Sequence, residues 1–173
     1  MKSNISLFGF MGAGKSSVGR KIASISSLKF VETDELIKLR CEKSISQIFS
    51  VHGEAYFRAV EVEVVNAISQ NEELVISTGG GVIENSANLS ALSVNSVPFF
   101  LHASFEALWA RINLDSHIRP LGKSKEQTLG LFNKRKTLYE RIPNIILTES
   151  LTVEAVSEKV YSKFLELKKL KGV

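Results

Sequence analysis

Five short apolar runs punctuate the chain: ISLFG at 5–9, KFVET at 29–33, LVIST at 74–78, VPFFLHA at 97–103 and NIILT at 144–148. Most are apolar throughout rather than alternating, as strands buried on both faces of a parallel sheet should be. Between them run longer segments whose apolar residues recur with the helical period. The last is the clearest, with Val153, Val156, Val160, Phe164 and Leu167 forming one stripe. Another opens at SISQ, where Ser44 and Gln47 have the spacing of a capping box. Strands alternating with helices predict an α/β fold, a three-layer α/β/α sandwich around a five-stranded parallel sheet. Ligands of such sheets sit beyond the carboxyl ends of the strands. The residues just after each strand are therefore the ones to inspect for chemistry.

The totals narrow the field without choosing a function. At 173 residues the chain has the length of one domain able to bury a full core. No repeat, low-complexity tract or linker divides residues 1–173. The longest apolar runs are too short to span a bilayer, and Lys2 is followed almost at once by a strand, not by a signal peptide. Cys41 stands alone, which leaves no disulfide framework and no Cys-based zinc site, and suits a reduced, cytoplasmic protein. The net charge is +4 and the pI about 9.2, a balance compatible with anionic ligands. Its basic residues are scattered apart from the LKKLKG tail, which reads as a solvated helix end. That tail lacks the interleaved aromatics of a single-strand groove. Neither a nucleic-acid nor a membrane partner is expected.

GFMGAGKSS, Gly9 to Ser17, fits G-x-x-x-x-G-K-[ST] and lies between a strand and a helical segment. Gly9, Gly12 and Gly14 let the backbone curl until its N–H groups converge on phosphate oxygens. Lys15 can reach the β- and γ-phosphates, the Ser16 hydroxyl can ligate Mg²⁺, and the following helix adds its positive dipole end. The nucleotide-binding set is thus Gly12, Ala13, Gly14, Lys15, Ser16 and Ser17. A switch GTPase would carry Asn-Lys-x-Asp after a late strand, but Asn133-Lys134 lies within a helical stretch and continues Arg135-Lys136. An ATPase motor would end an apolar strand in adjacent acids, whereas LVIST ends in glycines.

Three further constellations follow strands or share a helix face. In VETDE, Glu32 and Asp34 stand near the end of the second strand, where carboxylates can order the water around Mg²⁺ or accept a hydroxyl proton; Asp34 is equally placed to cap the next helix. In GEAYFRAVE, Gly53 to Glu61, Glu54, Arg58 and Glu61 share one helical face. They form either a surface ladder or a guanidinium held ready for an anion, with Phe49 and Phe57 walling the pocket. In STGGG, Gly79, Gly80 and Gly81 permit a ligand to approach the backbone closely.

Together these motifs resemble the shikimate kinase family from the first strand through about residue 148. G-x-M-G-x-G-K-S spans Gly9 to Ser16, the acids surround Asp34, and G-E-x-x-F-R-x-x-E spans Gly53 to Glu61. G-G-G follows at Gly79 to Gly81, then R-P-L at Arg119 to Leu121 and R-x-x-L-Y at Arg135 to Tyr139. The resemblance implies a P-loop kinase fold with a lid over about 113–127 and a shikimate-binding helical region over about 34–61. It implies ATP as donor, Mg²⁺ as cofactor, shikimate as acceptor, and a cytoplasmic monomer serving aromatic amino-acid biosynthesis. By position, Asp34, Arg58, Gly80 and Arg135 match shikimate contacts, with Gly79 and Gly81 beside them, and Asp34 lies near the accepting hydroxyl. Arg119 matches the lid arginine over the phosphates, and Arg111 an arginine near the adenine. The catalytic set is then Lys15, Asp34 and Arg119, with Ser16 on the metal and Glu32 contacting it through water.

The chain departs from the family at Glu32, where Asp is usual, at Gly122 after Arg-Pro-Leu, and at Pro143. A gluconate kinase would keep the fold and change the acceptor, tolerating loss of Arg58. A nucleotide-dependent nucleic-acid binder would instead show salt-sensitive binding. His52, His102 and His117 read as surface or satisfied core, Trp109 as core, and Lys134 and Lys136 as solvated neighbours of Arg135.

Overall fold

The computed structural model describes residues 2–114 and 124–170. All five expected strands form, each within one residue of its expected bounds: β1 Asn4–Phe8, β2 Lys29–Glu32, β3 Leu74–Ser77, β4 Ser96–His102 and β5 Asn144–Leu147. They pair in parallel in the order β2-β3-β1-β4-β5. Every residue of β1 and β3 is buried, so helices cover the sheet on both faces. β5 is an edge strand, and Ile145 and Leu147 remain exposed along it.

The helices are α1 Lys15–Ile25, α2 Thr33–Cys41, α3 Ile45–Ser69, α4 Ser86–Asn95, α5 Phe105–Leu114, α6 Lys125–Tyr139 and α7 Val153–Leu170. The expected capping box forms at the start of α3, between Ser44 and Gln47, and another caps α6 at Ser124 and Gln127. α7 buries Val156, Val160 and Phe164 of its stripe, while Val153 at its first turn stays 38% exposed. α1 comes so close to β2 that a Cβ on Gly19 would lie 2.6 Å from the Phe30 ring.

α2 and α3 enclose a small separate core of Ile37, Ile48, Phe57, Val60 and Val64 beside the main one. Gly53 interrupts α3 with φ 79° and ψ 176°. The segment from Gly53 to Glu61 is therefore a hinge residue followed by a helix, not one continuous helix. This side lobe carries Asp34 and Arg58 to the triple glycine that follows β3.

The strand order decides where chemistry can occur. β2, β3 and β1 are neighbours, and their register sets Glu32 and Leu7 on either side of Ser77. The glycine loop after β1, the acids after β2 and the triple glycine after β3 thus open at one edge.

Candidate active site

The loop after β1 is shaped by glycines at positive φ. Gly9 lies at φ 153°, Gly12 at 78° and Gly14 at 85°. A side chain at Gly9 would put its Cβ 2.7 Å from the Leu101 carbonyl oxygen, so the loop can hug β4 only with glycine there. Gly14 is the N-cap of α1; no side chain caps this helix and no acid occupies its first turn. The helix N-terminus therefore offers its N–H groups and dipole to an anion in the adjoining cleft.

Lys15 donates from Nζ to the carbonyls of Gly9 at 2.8 Å and Phe10 at 3.1 Å. Burial lowers its pKa to about 8, against the pull of Asp34 and Glu32, which favour the ammonium, while Arg135 adds to the lowering. Ser16 Oγ donates to Glu32 and lies 3.4 Å from Ser77 Oγ. The extra methylene of Glu32 thus carries its carboxylate directly to the serine hydroxyl, with Arg20 at 3.8 Å on its outer side.

Asp34 does not cap α2; Glu32 occupies the N-cap and Asp34 sits in the first turn. Burial pushes its carboxyl above the ordinary aspartate range, and Lys15 opposes that shift. The N–H of Gly79 donates to Thr33 Oγ1 at 2.8 Å, fixing the triple glycine against the start of α2. A cleft of about 560 Å³ unites Gly12, Gly14, Lys15, Ser16, Ser17, Glu32, Asp34, Gly79, Gly80 and Arg111. Ala13 is buried behind it and lines an adjoining hollow of about 190 Å³ with Arg111 and Thr148. Arg111 is tied there by Nη2–H to the Thr148 carbonyl at 3.1 Å.

Arg58, Gly81 and Arg135 do not line that cleft; they form a charged cluster on the far side of Gly80. Arg58 donates through Nη1 to both oxygens of buried Glu61, at 3.0 and 2.9 Å, and through Nη2 to Glu54 at 3.2 Å. Burial pushes the Glu61 carboxyl up and Arg58 pulls it back. Phe57 does not wall a pocket. Its ring packs in the side-lobe core on Phe49 at 4.7 Å, with the Arg58 guanidinium 5.2 Å from its centroid. Arg135 donates from Nε and Nη2 to Glu84 Oε1 at 2.9 and 2.7 Å.

Each glycine of the triple lies against a different group. A Cβ on Gly79 would collide with the Asp34 carboxylate, and one on Gly81 with the Arg58 guanidinium. One on Gly80 would stand 3.6 Å from Arg135 Nη1 and 3.7 Å from the Met11 backbone nitrogen. Tyr139 donates its hydroxyl proton to the Gly80 carbonyl at 2.6 Å, and burial raises its phenol well above the usual value.

One polar group escaped the sequence reading. Glu84 follows the triple glycine by three residues and meets Arg135 and Lys134; an acid beside that loop in an otherwise neutral stretch was the available signal. Lys134 is not merely solvated, because it reaches Glu84 at 2.6 Å. His52 packs at a tilt against Tyr56, ring centroids 4.6 Å apart, and Trp109 packs against the core near Phe105. His102 is not fully satisfied, since its buried Nδ1 has no hydrogen-bond partner. Arg119, His117 and most of the expected lid lie outside the described residues. Among the described residues no helix is long and apolar enough to cross a membrane.

Comparison with known proteins finds relatives over most of the chain. The family model described as shikimate kinase matches residues 11–167. A shikimate kinase from Caldicellulosiruptor bescii is 39% identical over 162 residues, covering 92% of this chain and 94% of its own. The structure of a shikimate kinase from Acinetobacter baumannii in complex with shikimate aligns with a TM-score of 0.88 at 29% identity, covering 96% of this chain and 94% of that one. A shikimate kinase structure from Aquifex aeolicus gives 0.84 at 35% identity, with coverage of 98% and 99%. The chain belongs to the shikimate kinase family.

Proposed function

We propose that the chain transfers the γ-phosphoryl group of ATP to the 3-hydroxyl of shikimate, giving shikimate 3-phosphate and ADP. This is a step toward chorismate and the aromatic amino acids. The observation that carries the proposal is the triple glycine packed against Asp34, Arg135 and Arg58 in turn. It joins a phosphate loop to a carboxylate and two guanidiniums. Shikimate has one carboxylate and three hydroxyls, and that set complements it: Arg58 and Arg135 hold the carboxylate, while Asp34 and the Gly80 backbone meet hydroxyls.

Asp34 then accepts or orients the proton of the attacking hydroxyl. Its raised pKa makes it a better acceptor than an ordinary aspartate. Lys15, charged below about pH 8, exchanges two backbone carbonyls for phosphate oxygens when nucleotide arrives. The uncapped start of α1 binds the remaining phosphate charge. Arg111 borders the hollow offered to the base, and Arg119 is assigned to the phosphates from the lid. Mg²⁺ suits the oxygen donors Ser16 and Glu32. Mg²⁺ keeps several waters and substrate phosphates among its ligands, so one or two protein oxygens suffice to hold it. When bound, it would neutralise charge on the β- and γ-phosphates. A cytoplasmic, monomeric enzyme is part of the same proposal.

Release of ADP from ATP and Mg²⁺ on adding shikimate tests the proposal. Arg58→Ala is expected to cost most of that activity. Turnover of gluconate or a nucleoside monophosphate, with shikimate left untouched, would sink it.

A further inference from the structure

Glu84 sits between the two guanidiniums assigned to the acceptor. It ends the short turn Val82–Glu84, which backbone bonds tie to the triple glycine: Val82 N–H to Gly79 O at 3.2 Å and Glu84 N–H to Gly81 O at 2.9 Å. Its Oε1 accepts two hydrogen bonds from Arg135, at 2.9 Å from Nε and 2.7 Å from Nη2. The same oxygen stands 3.8 Å from Arg58 Nη2, and Oε2 accepts from Lys134 at 2.6 Å.

This arrangement occupies one edge of the Arg135 guanidinium and leaves Nη1 facing Gly80. The Arg135 side chain is only 9% exposed, so water does little to hold it in place. A planar fork binds a carboxylate well only when its edge meets it squarely. Charge around the pair is balanced by Glu54, Glu61 and Glu84 against Arg58, Lys134 and Arg135. Burial pushes the Glu84 carboxyl up, yet the hydrogen bonds from Lys134 and Arg135 outweigh it and hold the group below the ordinary glutamate range.

We infer that Glu84 is a positioning residue for the acceptor's carboxylate: it grips the Nε–Nη2 edge of Arg135, turns Nη1 toward Gly80 and so sets the angle of the Arg58–Arg135 pair. The inference rests on the shikimate reading of the site. A carboxylate fixed to the acceptor loop itself also offsets the repulsion between the two guanidiniums when no substrate is present.

The test is steady-state kinetics of wild type, Glu84→Ala and Glu84→Gln with shikimate and with its methyl ester, which lacks the anionic group. Glu84→Ala should raise the KM for shikimate on the order of tenfold, with kcat, the KM for ATP and the constants for the ester little changed. Glu84→Gln keeps an Oε1 acceptor and should recover much of the loss. An unchanged or lower KM for shikimate in Glu84→Ala overturns the inference, the lower value meaning that Glu84 competes with the substrate. Parallel losses with the ester overturn it too, since they mark a general structural role. Should Glu84→Ala not fold, Glu84→Asp decides, because a shorter side chain draws the carboxylate off Arg135; an unaltered KM then overturns the assignment. Wild-type protein inert toward shikimate overturns the underlying reading as well, whereas active wild type with an unaffected variant overturns only the role of Glu84.

Discussion

The two halves of the site are made of different material. In the proposed site the donor half is one loop, Gly9 to Ser17, in which backbone groups would bind and a single lysine supplies the charge. The acceptor half is assembled from side chains on α2, α3, the turn after β3 and α6, with charges that nearly cancel. A site of backbone amides tolerates changes of side chain but not of φ. A site of balanced charges tolerates small shifts of backbone but not the loss of one ion, because a buried partner left alone costs about 3–5 kcal/mol.

Substitutions that strike one half alone would establish or abolish this division. The largest expected effect is that of Asp34→Asn, which should lower kcat by ~10²–10⁴ while changing ATP affinity little. The same variant should melt higher than wild type. Burial raises the folded-state pKa of Asp34, so the ionised carboxylate costs stability above that raised value. The cost vanishes as pH falls below the ordinary aspartate range, and calorimetry across that window should show the gain of the Asn variant shrinking to nothing. An equal loss of ATP binding would erase the distinction between the halves.

A smaller and reciprocal pair comes next. Gly81→Ala drives a methyl into the Arg58 guanidinium and should raise the KM for shikimate about tenfold, sparing ATP. Gly12→Ala meets φ 78° and the Leu108 carbonyl oxygen at 3.0 Å. With roughly 1–2 kcal/mol of strain, it should weaken ATP and spare shikimate. Crossed effects in these two variants would show that the loops move as one. The gentlest probe is pH. Lys15 loses its proton as pH rises through about 8, so ATP binding to the free protein, followed by titration calorimetry, should weaken severalfold across that range. Asp34 helps to hold the Lys15 proton; the limb should therefore move to lower pH in Asp34→Asn, measuring the coupling between the halves.

How much of this the sequence discloses follows from the same division. The inner strands β1, β3 and β4, buried on both faces, write themselves as apolar-rich runs, and the partly exposed edge strands β2 and β5 were readable as well. The phosphate loop is local in sequence, and its glycines carry their reason in their φ values. The Glu54–Arg58–Glu61 face followed from helical spacing alone. Resemblance to a family was needed to gather Asp34, Arg58 and Arg135, because no local rule brings α2, α3 and α6 together. Glu84 stayed hidden for that reason: its partnership with Lys134 exists only across the turn after β3 and α6. The break at Gly53 was hidden differently, since a glycine inside a helical pattern does not announce which φ it adopts. The pose of Lys15 on the Gly9 and Phe10 carbonyls is likewise not encoded by the motif.

The bond from Tyr139 to the Gly80 carbonyl has a consequence for how such an enzyme can change over generations. Arg135 and Tyr139 stand one turn apart on α6, so one helix carries both a proposed acceptor contact and the strut under the triple-glycine loop. A lineage exchanging its acceptor can vary α6 as a module, while the loop after β1 is inherited unaltered. The strut sets the limit of that freedom: a replacement helix must still offer a proton to Gly80, or the new specificity arrives on a loop with nothing beneath it.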